Sequence, residues 1–264
     1  MAGPTTAERG ERQQESSGPP LVRRLRRPRL RTIVILAVVV LLLGAGGVWA
    51  LYGSAWLRVR QVSVSGTDVL TPAEVRDAAA VPVGAPMISV DTGAIEARLR
   101  RKLPRIDTVV VARSWPHGIG LKVTERTPVL LDRKDGDFVE VDDEGVRFAT
   151  VPQAPKAVPM LELSASRTGS AAASFRRFGT DRLVREAVRV AGALPAAVAK
   201  ETRTVQVRSY DTISLELADG RTVAWGSSED GRTKARALTA LMKAAPGARH
   251  FDVSVPTAPA SSGS

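Results

Sequence analysis

Few residues in this chain are able to carry covalent or metal chemistry, and their spacing does not assemble a reaction centre. Cysteine is absent, so neither thiol nucleophiles nor disulfides are available. The two histidines are His117, in a predicted turn, and His250, two residues before Asp252. His250-Phe251-Asp252 places His and Asp on one face of a strand, which allows an ion pair and nothing more elaborate. Nucleophilic catalysis needs a base beside the nucleophile, and no Gly-x-Ser-x-Gly elbow is present. Two isolated histidines do not make a zinc site. Gly118-Ile119-Gly120 lacks the third glycine and the strand-to-helix setting of a phosphate loop. Asp142-Asp143-Glu144-Gly145 lacks the alternating oxygen ligands and the closing glutamate of a calcium loop, and reads as a hairpin turn. The expectation is a non-enzyme with no catalytic residues, no cofactor and no metal.

The element around which the rest must be arranged is Thr32 to Tyr52, TIVILAVVVLLLGAGGVWALY, with no charged residue in it. About 20 apolar residues rising 1.5 Å each match a hydrocarbon core of roughly 30 Å. Six arginines (Arg23, Arg24, Arg26, Arg27, Arg29 and Arg31) precede it, while Arg58 and Arg60 follow behind Trp49, Tyr52 and Trp56. Arginine stays with the cytoplasm and aromatic rings favour the interface, so a single-pass anchor with a cytoplasmic N-terminus is predicted. The competing reading is a cleaved signal peptide, with Gly53-Ser54-Ala55 as the cleavage site.

The net charge of +11 is divided between the two sides. Residues 1–32 hold eight arginines and three glutamates, and the remainder holds 30 basic against 24 acidic residues. The first excess suits anionic headgroups. Nucleic acid is excluded as a partner, because most of the folded part is predicted across the membrane with charges of alternating sign.

Beyond the anchor the pattern is α+β. Val59 to Gly66 alternates as a half-buried strand ending in a turn. Thr71-Pro72-Ala73-Glu74 has a cap, a proline at the first helical position and the glutamate of a capping box. A second helix starts at Asp91 or Thr92, presents Ile95, Leu99 and Leu103, and stops at Pro104. Strands at Thr108–Arg113 and Ile119–Arg126 follow, joined through Ser114-Trp115-Pro116-His117-Gly118. Further on, strands are predicted at Val129–Leu131, Phe138–Val141, Val146–Phe148, Val205–Arg208, Thr212–Leu217, Arg221–Trp225 and Arg249–Val255. Ala218-Asp219-Gly220 is a hairpin turn. Helices are predicted at Asp181–Leu194 and Asp230–Ala244, and a loop at Ser164–Thr180.

The ordered motifs carry a resemblance. Val59-x-x-Val62-x-Val64-x-Gly66, Glu74-Val75, Ile88-Ser89-Val90-Asp91, Leu103-Pro104-Arg105-Ile106, Arg113-x-Trp115-Pro116 and Glu125-Arg126-x-Pro128 resemble a POTRA module. With Leu215-x-Leu217-x-Asp219-Gly220-Arg221, Trp225-Gly226, Lys234 and Phe251-Asp252-Val253, the chain from 23 to 256 resembles the FtsQ/DivIB family of bacterial division-septum proteins. Thr67 departs from the asparagine usual after the glycine. Composition predicts a disordered basic cytoplasmic tail over 1–31 and a disordered tail over 257–264, and the apolar run a transmembrane helix over 32–52. The resemblance implies a POTRA-like β-α-α-β-β module over 57–128 and a mixed β-rich domain with helices over 129–256. It also implies a type II membrane protein concentrated at the septum. Its partners would be small bitopic coiled-coil division proteins of the FtsB and FtsL type, and it would influence septal peptidoglycan synthesis indirectly.

The alternative identities are a POTRA-type envelope or secretion assembly factor and an anchored wall hydrolase. One repeat, with no series of membrane-length amphipathic strands, speaks against the former.

The mechanism expected for partner binding is β-augmentation on the last strand. Carried over from the family, it points to Phe251, Val253, Ser254 and Val255, with Lys234 and Leu238 on the preceding helix. The alternate residues Phe251, Val253 and Val255 are equally consistent with filling the core. Pro256 limits the strand available.

Overall fold

The computed structural model describes residues 30–164 and 169–263. The polar tail expected over 1–31 therefore falls, up to residue 29, outside the described residues. Helix α1 (Leu30–Gly53) is 24 residues of nearly unbroken apolar sequence, none of them buried, long and apolar enough to cross a membrane. Most of it belongs to one structural unit ending at Ala50, and the chain from Leu51 onward forms a second.

The second unit begins with a three-stranded module. Strand β1 (Gln61–Ser65) leads through a loop to α2 (Pro72–Ala79) and α3 (Thr92–Lys102), then to β2 (Ile106–Ser114) and β3 (Gly118–Glu125). The sheet order is β1-β3-β2, with β1 parallel and β2 antiparallel to β3. Local chemistry explains the helices. Thr71 Oγ1 accepts the Glu74 N–H at 3.2 Å, and the Glu74 carboxylate accepts the Thr71 N–H at 2.8 Å, the reciprocal capping box. These bonds to Thr71 hold the Glu74 carboxyl below its usual pKa. Asp91 caps α3 through the Ala94 N–H. Leu103 lies at the C-cap of α3, not within it. Ile95 and Leu99 pack with Val75, Ile119, Leu121 and Val123 into this module's own core.

Glu125, at the end of β3, reaches back to the β1–α2 loop. Its carboxylate accepts the N–H groups of Asp68 at 2.9 Å, Val69 at 3.2 Å and Leu70 at 3.0 Å. Three otherwise unpaired donors are satisfied by one charge. Glu125→Ala is expected to lower the unfolding free energy by about 1–3 kcal/mol, measured by urea denaturation, with Glu125→Gln falling between the two.

The remaining strands form one nine-stranded sheet. In chain order they are β4 (Leu130–Lys134), β5 (Asp137–Val141), β6 (Arg147–Val151) and β7 (Met160–Leu163), then helices α4 (Gly169–Phe178), α5 (Thr180–Ala193) and α6 (Ala196–Glu201). After these come β8 (Thr202–Ser209), β9 (Thr212–Leu217), β10 (Thr222–Gly226), α7 (Gly231–Ala244), β11 (His250–Asp252) and β12 (Ala260–Ser262). The sheet order is β12-β11-β10-β9-β8-β7-β4-β5-β6. One face is apolar: Val205, Val207, Ile213, Leu215, Val223, Trp225 and Phe251 are buried with Leu183, Val184 and Val188 of α5 and Leu238 of α7. The alternation read from the sequence supplies this face, since successive side chains point to opposite sides.

Two expectations are corrected here. The loop predicted over Ser164–Thr180 contains helix α4 from Gly169 to Phe178; residues 165–168 are outside the described residues. Alanines at 171–173 favour helix intrinsically, and tertiary contacts fix it: the Tyr210 N–H donates to Ser174 Oγ at 2.9 Å, and Phe178 stacks on Tyr210 with centroids 4.8 Å apart. The tail predicted to be unfolded over 257–264 contains strand β12, which pairs antiparallel with β11. A strand needs only backbone partners, and Ala260-Ser261-Ser262 offers no hydrophobic alternation that would announce it.

The two sets of side-chain cores are bridged by charge. Arg105 Nη2 meets Glu140 at 2.5 Å with its guanidinium 5.2 Å above the Phe148 ring, and Arg126 pairs with the buried Asp142. Burial would lower the Arg126 pKa, but Asp142, Asp107 and Glu144 outweigh it and hold the group above its ordinary value. Asp142 also accepts the N–H groups of Glu144 at 2.9 Å and Val146 at 2.7 Å, which closes the β5–β6 turn.

Candidate functional site

The end of the large sheet that carries β10, β11 and β12 is where the predicted partner-binding residues gather. Strand β11 is three residues, shorter than the Arg249–Val255 strand expected, and runs parallel to β10 with Val223 opposite Phe251. It ends because Asp252 Oδ1 accepts from both the Ser254 N–H at 2.9 Å and the Ser254 hydroxyl at 2.6 Å, turning the chain. The Val253 N–H still reaches the Ala224 carbonyl at 2.9 Å.

The outer edge of β11 is occupied. Phe251 pairs with Ser261, and the Arg249 N–H donates to the carbonyls of Ser262 at 3.2 Å and Gly263 at 2.8 Å. The edge expected to be free is thus covered by the chain's own residues 260–263. All three side chains of β12 are exposed, so it is held by backbone pairing and contributes nothing to the core.

Burial sorts the predicted residues. Phe251 and Val253 fill the core, as do Leu238 and most of Lys234. Phe251 and Val253 thus alternate into the core, and any contact they offer a partner in this state runs through the backbone. Ser254 is half-buried, and Val255 alone of the six is a large apolar side chain left in solvent, 56% exposed. His250 and Asp252 do not pair: His250 Nδ1 lies 2.7 Å from Thr222 Oγ1, and Asp252 is engaged by Ser254.

Lys234 and Gly226 act on this edge from beneath. Lys234 Nζ donates to the Ser227 carbonyl at 2.9 Å, and Ser228 Oγ donates to the buried Glu186 of α5, so the loop after β10 is fixed from both helices. That fixes Gly226, whose φ is 79° and whose missing Cβ leaves room for Ser254; a Cβ there would lie 2.9 Å from the Ser254 Cβ. The Trp-Gly motif is therefore a packing device that lets the last strand approach. Its role rests on a contact 28 residues away in the chain, which no local signal marks.

Burial pushes the Lys234 pKa down, against the smaller opposing effects of Asp230 and Glu229. A lysine depressed in the folded state binds fewer protons there than when unfolded. Stability is therefore expected to rise with pH between the lowered folded value and the unfolded value of about 10.4. Lys234→Met should remove that rise, as read by chemical denaturation over this alkaline range.

The comparisons with known proteins now bear on the whole chain. Residues 57–126 match the POTRA domain, FtsQ-type, and residues 129–254 match the C-terminal model of cell division protein FtsQ/DivIB. The chain belongs to the FtsQ/DivIB family of cell division proteins. It is 78% identical to the cell division protein FtsQ of Streptomyces collinus and 76% identical to that of Streptomyces coelicolor, in each case over all of both chains. To the FtsQ of Mycolicibacterium smegmatis it is 36% identical, over 87% of this chain and 64% of the other. As an FtsQ/DivIB protein it is a non-enzymatic component of the division machinery, and the secretion-factor and wall-hydrolase readings fall away. The motifs read from the sequence fall at element positions: Val62 and Val64 on β1, Glu125 and Arg126 at and just after the end of β3, and Trp225-Gly226 closing β10.

Proposed function

We propose that this FtsQ-family chain is a single-pass type II membrane protein, with its N-terminus in the cytoplasm and its folded part outside, that helps assemble the division machinery at the septum. It does so by binding small bitopic coiled-coil division proteins of the FtsB and FtsL type and thereby supports septal peptidoglycan synthesis without catalysing it. The apolar α1 with arginines before it supports the anchor.

The observation that carries the binding mode is β12. Three residues with exposed side chains sit on β11 as an added strand, so this edge accepts backbone pairing from a segment with no side-chain payload. A partner strand with apolar side chains would make the same backbone bonds and also cover Val255, and so displaces β12. Ending the chain after Val255 is expected to tighten binding of the FtsB-type partner to the detergent-solubilised protein, read by titration. Loss of binding on the same truncation would mean that β12 is itself the docking strand, and would refute displacement. Asp252→Pro, which removes a backbone donor on β11, is expected to weaken binding.

A further inference from the structure

Three of the first module's large exposed apolar side chains lie in segments that meet at one end of it, while Val69 and Val110 lie elsewhere on the module. Trp56 (64% exposed) lies in the 3-10 turn Ala55–Leu57, Val83 (66%) in the loop after α2, and Trp115 (51%) in the β2–β3 turn. Backbone bonds stitch these three segments together. The Val59 N–H donates to the Ala85 carbonyl at 2.9 Å and the Gly84 N–H to the Val59 carbonyl at 2.8 Å. The N–H groups of Arg60 and Gln61 donate to the His117 carbonyl at 2.9 and 3.2 Å. Arg58 and Arg60 brace the same end, bonding the carbonyls of Gly84 at 2.8 Å and Ala55 at 3.0 Å. Beside Val83 a cleft of about 450 Å³ opens between Arg60 and Arg76, with Val62, Val81 and Asp77 completing its walls.

Single exposed apolar residues are ordinary; two tryptophans and a valine at one end, rimmed by arginine, are a surface that prefers a partly apolar medium. Covalent connection says which medium. Trp56 stands four positions after Tyr52, at most about 14 Å of chain. Trp56 therefore cannot leave the vicinity of the bilayer when α1 spans it, and the loops bearing Val83 and Trp115 are bonded to residues 59–61, just beyond. Tryptophan favours the headgroup level, and arginine beside it meets lipid phosphate while its stem stays in apolar surroundings.

We propose that this end of the first module is a lipid-seating surface. Trp56, Val83 and Trp115 enter the headgroup zone of the outer leaflet, and the Arg60–Arg76 cleft takes the phosphate of an anionic phospholipid. The inference rests on the reading of α1 as a membrane anchor. Its consequence is that the folded part is held in a fixed orientation to the membrane rather than swinging on residues 53–58.

The native chain has no cysteine, so single nitroxide labels can be placed at Val40→Cys, Val83→Cys, Trp115→Cys and Val146→Cys in the full chain. The labelled proteins are reconstituted into vesicles of phosphatidylcholine and phosphatidylglycerol. Collision with lipid-soluble oxygen is then compared with collision with a water-soluble nickel chelate. The label at 40 is expected to be shielded from nickel and the label at 146, in the second module, fully open to it. Those at 83 and 115 are expected to lose nickel collisions relative to 146, and to regain them when Trp56→Ser is added. Labels at 83 and 115 as open as 146, with 40 shielded, would overturn the seating surface alone. A label at 40 open to nickel would overturn the anchor and the seating together. Unchanged nickel access at 83 in vesicles of phosphatidylcholine only would overturn the anionic cleft.

Discussion

Asp142→Ala is expected to destabilise the folded part by about 3–5 kcal/mol, because it removes the buried carboxylate that pairs with the half-buried Arg126 and leaves two backbone N–H groups without their acceptor. The Asp142 side chain is 2% exposed and does three jobs at once. It pairs with Arg126, and it accepts the N–H groups of Glu144 and Val146. Arg126 keeps weaker neighbours in Asp107 at 3.5 Å and Glu144 at 3.6 Å, which places the loss toward the lower part of that range. The effect is expected to be architectural as well as energetic. The apolar cores of the β1–β3 module and of the large sheet are separate clusters, and the Arg126–Asp142 and Arg105–Glu140 pairs bridge them. Calorimetry should show one transition for the native chain and two for the variant. Asp142→Asn keeps an oxygen for the turn while removing the charge, so it should uncouple the modules with a smaller total loss. A single transition in Asp142→Ala, shifted by less than that of Glu125→Ala, would contradict this account of the joint.

Gly226→Val is expected to cost about 3 kcal/mol, roughly half from the left-handed backbone and half from overpacking. The φ of 79° is unfavourable for a β-branched residue, and the added Cβ would meet Ser254 at 2.9 Å from its Cβ and 3.2 Å from its Cα. Ser254 is the residue that ends β11, so the strain is relieved by pushing the chain away from β10 just where the partner strand is proposed to add. Partner affinity should fall together with hydrogen-exchange protection of the Val253 N–H, which β10 now holds through Ala224. Gly136→Ala provides the comparison: its φ is 97°, but nothing lies within reach of the new Cβ. It should show the backbone penalty with unchanged partner affinity.

Features whose causes are local were legible in the sequence. The Thr71–Glu74 box, the Asp91 cap, the Asp219-Gly220 hairpin and the alternation in β8 to β10 depend on residues a few positions apart, and each is found where the pattern placed it. The Asp142–Gly145 cluster was readable as a turn for the same reason. What was not legible depends on distant partners. Nothing near Glu125 announces the loop at 68–70, and nothing near Arg105 announces Glu140, 35 residues on. Strand β12 escaped because Ala260-Ser261-Ser262 has no apolar face, and its structure is supplied by β11. At the candidate edge, alternation alone could not tell core from contact surface. Coordinates separate Phe251 and Val253, which are buried, from Val255, which is not. Lys234 is buried and donates to the Ser227 carbonyl, a contact with the loop after β10 that no local pattern around Lys234 announces.

The central claim is that this protein works at the division site by assembly. The most direct measurement is the position of an N-terminal fluorescent fusion in dividing cells of the source bacterium, read together with depletion of the chain. The account predicts accumulation at septa and failure of septation on depletion, rescued by the native chain and not by Gly226→Val. An even membrane signal with normal septa after depletion would contradict it.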